Sequence, residues 1–98
     1  MAGTGETNFG EQAVVVAVVP KTNLEEVRIA LSQFKGADLL DVRVYAADEG
    51  DGADGKKHPT KKGIAIKVTR LPELIAGLQA AQVEAIKLGR LKVEGGGT

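Results

Sequence analysis

The hydrophobic period of this chain changes once, at Thr69. Before it, apolar side chains recur at every second position. Val27, Ile29 and Leu31 alternate with Arg28, Ala30 and Ser32, and Leu40, Val42 and Val44 alternate with Asp41, Arg43 and Tyr45. Ile64, Ile66 and Val68 alternate with Ala65 and Lys67. Period two marks a half-buried strand. After Thr69, Leu71, Leu74, Ile75, Leu78, Ala81, Ala85 and Ile86 fall on one stripe of a helix. Strands followed by a single helix predict an α+β domain with a small antiparallel sheet.

Boundaries follow from the punctuation. Ala13–Val19 (AVVVAVV) is continuous and β-branched, which suits a strand covered on both faces, and Pro20 ends it. Lys21-Thr22-Asn23 is a turn. The break at Lys35-Gly36-Ala37-Asp38 joins two alternating strands into a hairpin, with Leu40, Val42 and Val44 facing inward and Asp41, Arg43 and Tyr45 outward. Asp48–Lys57 reads as a long polar loop. Pro72 fits the first helical turn, Glu73 complements its positive end, and Gly89 is a stop. The predicted order is β-β-β-β-α, with one long C-terminal helix of about 18 residues, ~27 Å at 1.5 Å per residue. Residues 11–91 form the single domain, between flexible tails at 1–10 and 92–98.

Composition removes several classes of function. At 98 residues and 43% apolar content, one modest core forms and disorder is excluded. There is no cysteine and a single histidine, His58, so no disulfide framework and no thiolate or histidine-rich metal site exists. The longest apolar run is far short of the ~20 residues that span a bilayer. Glu6 and Glu11, not a basic segment, precede it, so a cytoplasmic, nucleoid-associated setting with no membrane partner is expected.

Formal net charge is zero, but the charges are segregated. Residues 48–55 carry four acids and residues 56–70 carry six bases and no acid. Such separation sets the local field more than the total does. Three candidate chemistries fail on inspection. Gly50-x-x-x-x-Gly55-Lys56 matches most of a phosphate-binding loop, but Lys57 replaces its Ser/Thr and a strand, not a helix, is expected next. Asp48, Glu49, Asp51 and Asp54 lack the spacing of a calcium loop. His58 has no nucleophile or orienting partner in sequence. The expectation is a non-enzyme without a cofactor.

The basic run survives. Lys56, Lys57, Lys61, Lys62, Lys67 and Arg70 suit phosphates, which demand charge and little geometry. Arg28 and Arg43 stand on the outward hairpin face with Tyr45, a second aromatic platform. Phe34, flanked by Lys35, sits at the hairpin tip, the pairing that stacks an unpaired base and holds its phosphate. The helix is longer than a four-stranded sheet is wide, ~15–19 Å at ~4.8 Å per strand. It overhangs its sheet, which predicts a homodimer through the helix.

At Phe34-Lys35-Gly36 the chain resembles the positive cofactor four family of single-stranded DNA-binding transcriptional coactivators, including its bacterial relatives. The matching stretches are VRIALSQFKGADLLDVRVY, PTKKGIAI and PELIAGL. The resemblance implies a homodimer that binds unpaired DNA on its sheets, with Phe34 as the stacking aromatic and Lys35, Arg43, Lys61 and Lys62 holding the backbone. Arg28, Tyr45 and Lys67 complete the expected site. Two departures stand out: Ala46 replaces an aromatic after the tyrosine, and Ala37-Asp38 replaces a basic position after the turn. The function expected is sequence-tolerant single-stranded DNA binding in transcription, repair or replication, with the transcription machinery as a further partner. The alternatives are single-stranded RNA binding on the same surface and a protein-interaction dimer.

Overall fold

The structure is a computed structural model that describes residues 13–52 and 54–92. The expected tails lie outside them, apart from Lys92. The chain divides into a sheet unit ending at Val68 and a helical unit beginning at Thr69.

The sheet unit is a four-stranded antiparallel meander in sequence order: β1 (Val14–Pro20), β2 (Glu25–Phe34), β3 (Ala37–Ala47) and β4 (Lys57–Lys67). β1 and β2 meet through a tight turn in which Lys21 and Thr22 donate backbone N–H groups to the Glu25 carbonyl, both at 3.1 Å. Lys21 Nζ also donates to Glu25 Oε1 at 3.0 Å, and that hydrogen bond is the main cause holding the Glu25 carboxyl below its ordinary range. β2 and β3 close on the pair Phe34 and Ala37, leaving a two-residue loop, Lys35-Gly36, with φ of 52° and 81°. Positive φ at both positions is the type I′ pattern, whose twist matches that of the flanking strands.

The two alternating rows do separate onto opposite faces. Val27 pairs with Val44, Ile29 with Val42 and Leu31 with Leu40, while Arg28 pairs with Arg43 and Ala30 with Asp41. Burial, however, is the reverse of the expectation. The row expected to face outward contains Ala30, Ser32, Asp41 and Tyr45, all buried. On the apolar face Leu40 is buried, but Leu31 and Ile64 are exposed. Long side chains account for part of this: Arg28 lies over the Tyr45 ring while paired with Glu26, and Arg43 lies on Asp41.

Two further expectations are corrected. β1 is not covered on both faces; it is an edge strand whose seven residues are all exposed. A shift in register between Val15 and Ala17 and the terminal Pro20 interrupt that edge, as edge strands generally require. β4 begins at Lys57, earlier than the Gly63 start that periodicity suggested. Pro59 obscured it, yet proline is acceptable here because β4 is the opposite edge of the sheet. Within the loop between β3 and β4, Glu49–Asp51 forms one 3-10 turn.

In the helical unit, α1 runs Leu71–Lys87, with Pro72 in its first turn and the Arg70–Glu73 ion pair at 3.1 Å. It ends in a Schellman motif, with Gly89 N–H donating to the Ile86 carbonyl at 3.0 Å and Arg90 N–H to that of Ala85 at 2.8 Å. None of its residues is buried: Leu71, Leu74, Ala85 and Ile86 are half-covered, and Ile75, Leu78 and Val83 are exposed. It is not long and apolar enough to cross a membrane.

Candidate nucleic-acid interface

One face of the sheet gathers most of the expected residues. Register places Arg28 and Phe34 of β2, Asp41, Arg43 and Tyr45 of β3, and Lys57 and Lys67 of β4 on the same side. Arg28 and Phe34 stand at opposite ends of it, six residues or about 20 Å apart along β2 at ~3.3 Å per residue.

Phe34 is 47% exposed at the hairpin tip. Its ring is met by Lys35 Nζ, 5.4 Å from the centroid. An open aromatic face beside a cation is what stacking an unpaired base demands. Tyr45 is different. Its ring is buried beneath the Arg28 guanidinium, 4.1 Å from the centroid, and burial pushes its phenol above the usual range. It is a covered platform.

Arg28 and Arg43 lie directly opposite each other across β2 and β3, an arrangement that like charges disfavour. Each is paired with an acid two residues back on its own strand. Arg28 Nε donates to Glu26 Oε2 at 2.6 Å. Arg43 grips Asp41 with two prongs, Nε to Oδ2 at 3.1 Å and Nη2 to Oδ1 at 2.8 Å. Arg43 Nη1 donates to the Thr60 carbonyl at 3.0 Å. Three of its five N–H groups are thus committed within the chain, and its side chain is 16% exposed. The residue expected to hold phosphate is above all a cross-strand tie.

The basic pair is split. Lys62 lines a hollow with Val27, Val42, Val44 and Ile64 of the apolar row and with Arg43 and Gly63, and its charge is a minor contributor to lowering the Glu25 carboxyl. Next to Gly63, which pairs with Arg43, it stands on the opposite face from Phe34. Lys61, between Thr60 and Lys62, is exposed.

Sequence reasoning missed Thr60, Gly63 and the tie role of Asp41. Lys57, read as part of the loop, pairs with Ala47 in β4. The only trace of the Thr60 role is its place just ahead of Lys-Lys-Gly, and nothing local shows which carbonyl it meets. Gly55-Lys56 leads into β4, so the strand–loop–helix setting of a phosphate loop is not present. Among the described residues no cluster of acids and histidine is arranged to hold a metal ion.

An antiparallel sheet of four strands followed by one helix, with an aromatic and cationic hairpin tip, defines a small α+β module. The chain belongs to the transcriptional coactivator p15 (PC4) family, whose model matches residues 22–77. It is also similar to BPSL1147, a PC4 homolog from Burkholderia pseudomallei K96243. In its orthorhombic crystal form the TM-score is 0.64 at 30% identity, over 74% of this chain and 93% of that one. In the tetragonal form the TM-score is 0.63 at 31% identity, over 72% and 98%. A search of the curated proteins found no match.

Proposed function

We propose that this chain binds single-stranded DNA with little sequence preference, as a homodimer and without enzymatic activity, and serves transcription, repair or replication at the nucleoid. Family membership supports single-stranded DNA binding and coactivator-type function in general. The observation that carries the reading in this chain is the exposed Phe34 ring with Lys35 beside it at the hairpin tip. A base stacks on Phe34, worth ~1–3 kcal/mol. Lys35, Lys61, Lys67 and Arg28 supply positive charge along the strand's path. With about four phosphates neutralised, log affinity falls with log salt at a slope near −3.

The homodimer rests on exposed apolar surface. Val14, Val19, Leu31 and Ile64 of the sheet's apolar face are exposed, as are Ile75, Leu78 and Val83 of α1. Monomers rarely leave large apolar side chains bare in such numbers on one element. A second copy packed on α1 through one isologous contact covers Ile75, Leu78 and Val83.

The test is an anisotropy titration with a labelled oligonucleotide, single- against double-stranded, alongside light scattering. Preference for the single strand and its loss in Phe34→Ala support the reading; equal binding to both strand states overturns it. Competition with a matched RNA decides between DNA and RNA. Leu78→Glu should give a monomer.

A further inference from the structure

β4 carries a bulge. Arg43 pairs with Gly63 and Tyr45 with Pro59, so Thr60, Lys61 and Lys62 together stand opposite Val44 alone. Extra residues in one strand normally leave unpaired backbone groups and a soft spot. Here the gap is spanned by side chains. Thr60 Oγ1 donates to the Val44 carbonyl at 2.8 Å and accepts from Lys62 N–H at 3.1 Å. Arg43 Nη1 holds the Thr60 carbonyl at 3.0 Å, and the far side of the same guanidinium is clamped by Asp41, which is 2% exposed. Gly63 closes the bulge. A Cβ there would run into the Val42 carbonyl and lie 2.8 Å from the Arg43 Cα, so β3 and β4 approach as closely as they do only because that position has no side chain.

We infer that Arg43 is a positioning residue: the Asp41–Arg43–Thr60 tie and Gly63 build a rigid bulge whose crown, Lys61, is the cation of this segment that meets a nucleic-acid phosphate. This deepens the single-strand binding reading and rests on it. Lys61 is the middle of the three bulged residues and is exposed. Of its neighbours, Thr60 is held in the tie, and Lys62, itself exposed, stands on the apolar side. A lysine on a flexible loop loses side-chain and backbone freedom when it meets a phosphate; one mounted on a tied bulge has lost the backbone part already. The Arg43 charge is spent on Asp41, so its service to the ligand runs through the geometry of Thr60.

The experiment measures the salt dependence of binding to a labelled single-stranded oligonucleotide for the full chain, four single variants and one double variant. Lys61→Ala should lower the slope of log affinity against log salt by about 0.7, one phosphate on a single strand. Arg43→Lys conserves charge but not the two-pronged grip. It should lower the slope by a similar amount, and added to Lys61→Ala it should lower it no further. If Arg43 itself holds a phosphate, Arg43→Lys keeps the slope and the inference is overturned. Thr60→Val should behave like Arg43→Lys, and Thr60→Ser, which keeps the hydroxyl, should restore the slope. Amide hydrogen exchange of Lys62 reads the tie without any ligand. It should quicken in Thr60→Val and Arg43→Lys and stay slow in Thr60→Ser; equal rates in all would overturn the tie. Failure of the wild-type chain to bind any oligonucleotide removes the binding reading and this inference with it. Binding with unaltered slopes in Arg43→Lys and Thr60→Val removes the inference alone.

Discussion

The Arg28 guanidinium lies 4.1 Å from the centroid of the Tyr45 ring and closes it off. One of the two aromatic platforms on this face is therefore occupied by the protein's own cation, and the open one is Phe34.

That asymmetry gives the first prediction. Phe34→Ala should weaken single-stranded DNA binding by roughly 5- to 150-fold, the equivalent of ~1–3 kcal/mol of stacking. Tyr45→Phe keeps the ring under Arg28 and should change affinity less than twofold. Anisotropy titrations of the two variants check both.

Lys35 has a φ of 52°, the one positive value among the described non-glycine residues. A lysine there costs about 1 kcal/mol that asparagine or glycine avoids. Lys35→Asn should raise stability to urea by about that amount while weakening oligonucleotide binding. Opposite signs in the two measurements mark a strained residue kept for its charge. A loss in both would show that lysine suits the turn.

Asp41 is the most deeply buried side chain described, and its partner is Arg43 at 2.8 Å. Asp41→Ala leaves a partly buried guanidinium without its counter-charge. Breaking a buried pair from one side costs 3–5 kcal/mol, and the partial exposure of Arg43 puts the expectation near the lower end, about 3 kcal/mol. Urea denaturation against wild type measures it.

The raised Tyr45 phenol has a consequence for pH. Its proton is held more tightly in the folded chain than in the unfolded one, chiefly because burial disfavours the phenolate. The folded state then binds more protons than the unfolded state once pH passes the ordinary tyrosine value near 10. Stability from this source is complete below that value and is lost as pH rises through the folded-state value. Thermal melts of wild type and Tyr45→Phe between pH 8 and 11 should diverge only at the alkaline end, with the variant the less sensitive.

What the sequence determined by itself is local. Alternation from Val27 to Tyr45 named two strands and sorted their residues into two rows, because side chains in a strand change sides at every step. The switch to a 3.6 period located α1, and Gly89 marked its end, because helix faces and stops are set within a few residues. Phe34-Lys35-Gly36 was legible as a tip. Tertiary structure decided the rest. Alternation does not say which row is covered; only the assembled sheet lays Arg28 over Tyr45 and Arg43 on Asp41. A run of valines at Val14–Val19 reads the same at an edge as in a sheet's interior, since hydrophobicity carries no record of neighbours. Arg43 and Thr60 are seventeen residues apart, and only the β3–β4 register brings the guanidinium to that carbonyl. The same register puts three residues against Val44, sends Lys62 to the apolar side and leaves Lys61 at the crown of the bulge. Pairing between distant segments is a property of the assembled sheet, so the partner of Arg43 was settled only when β4 met β3.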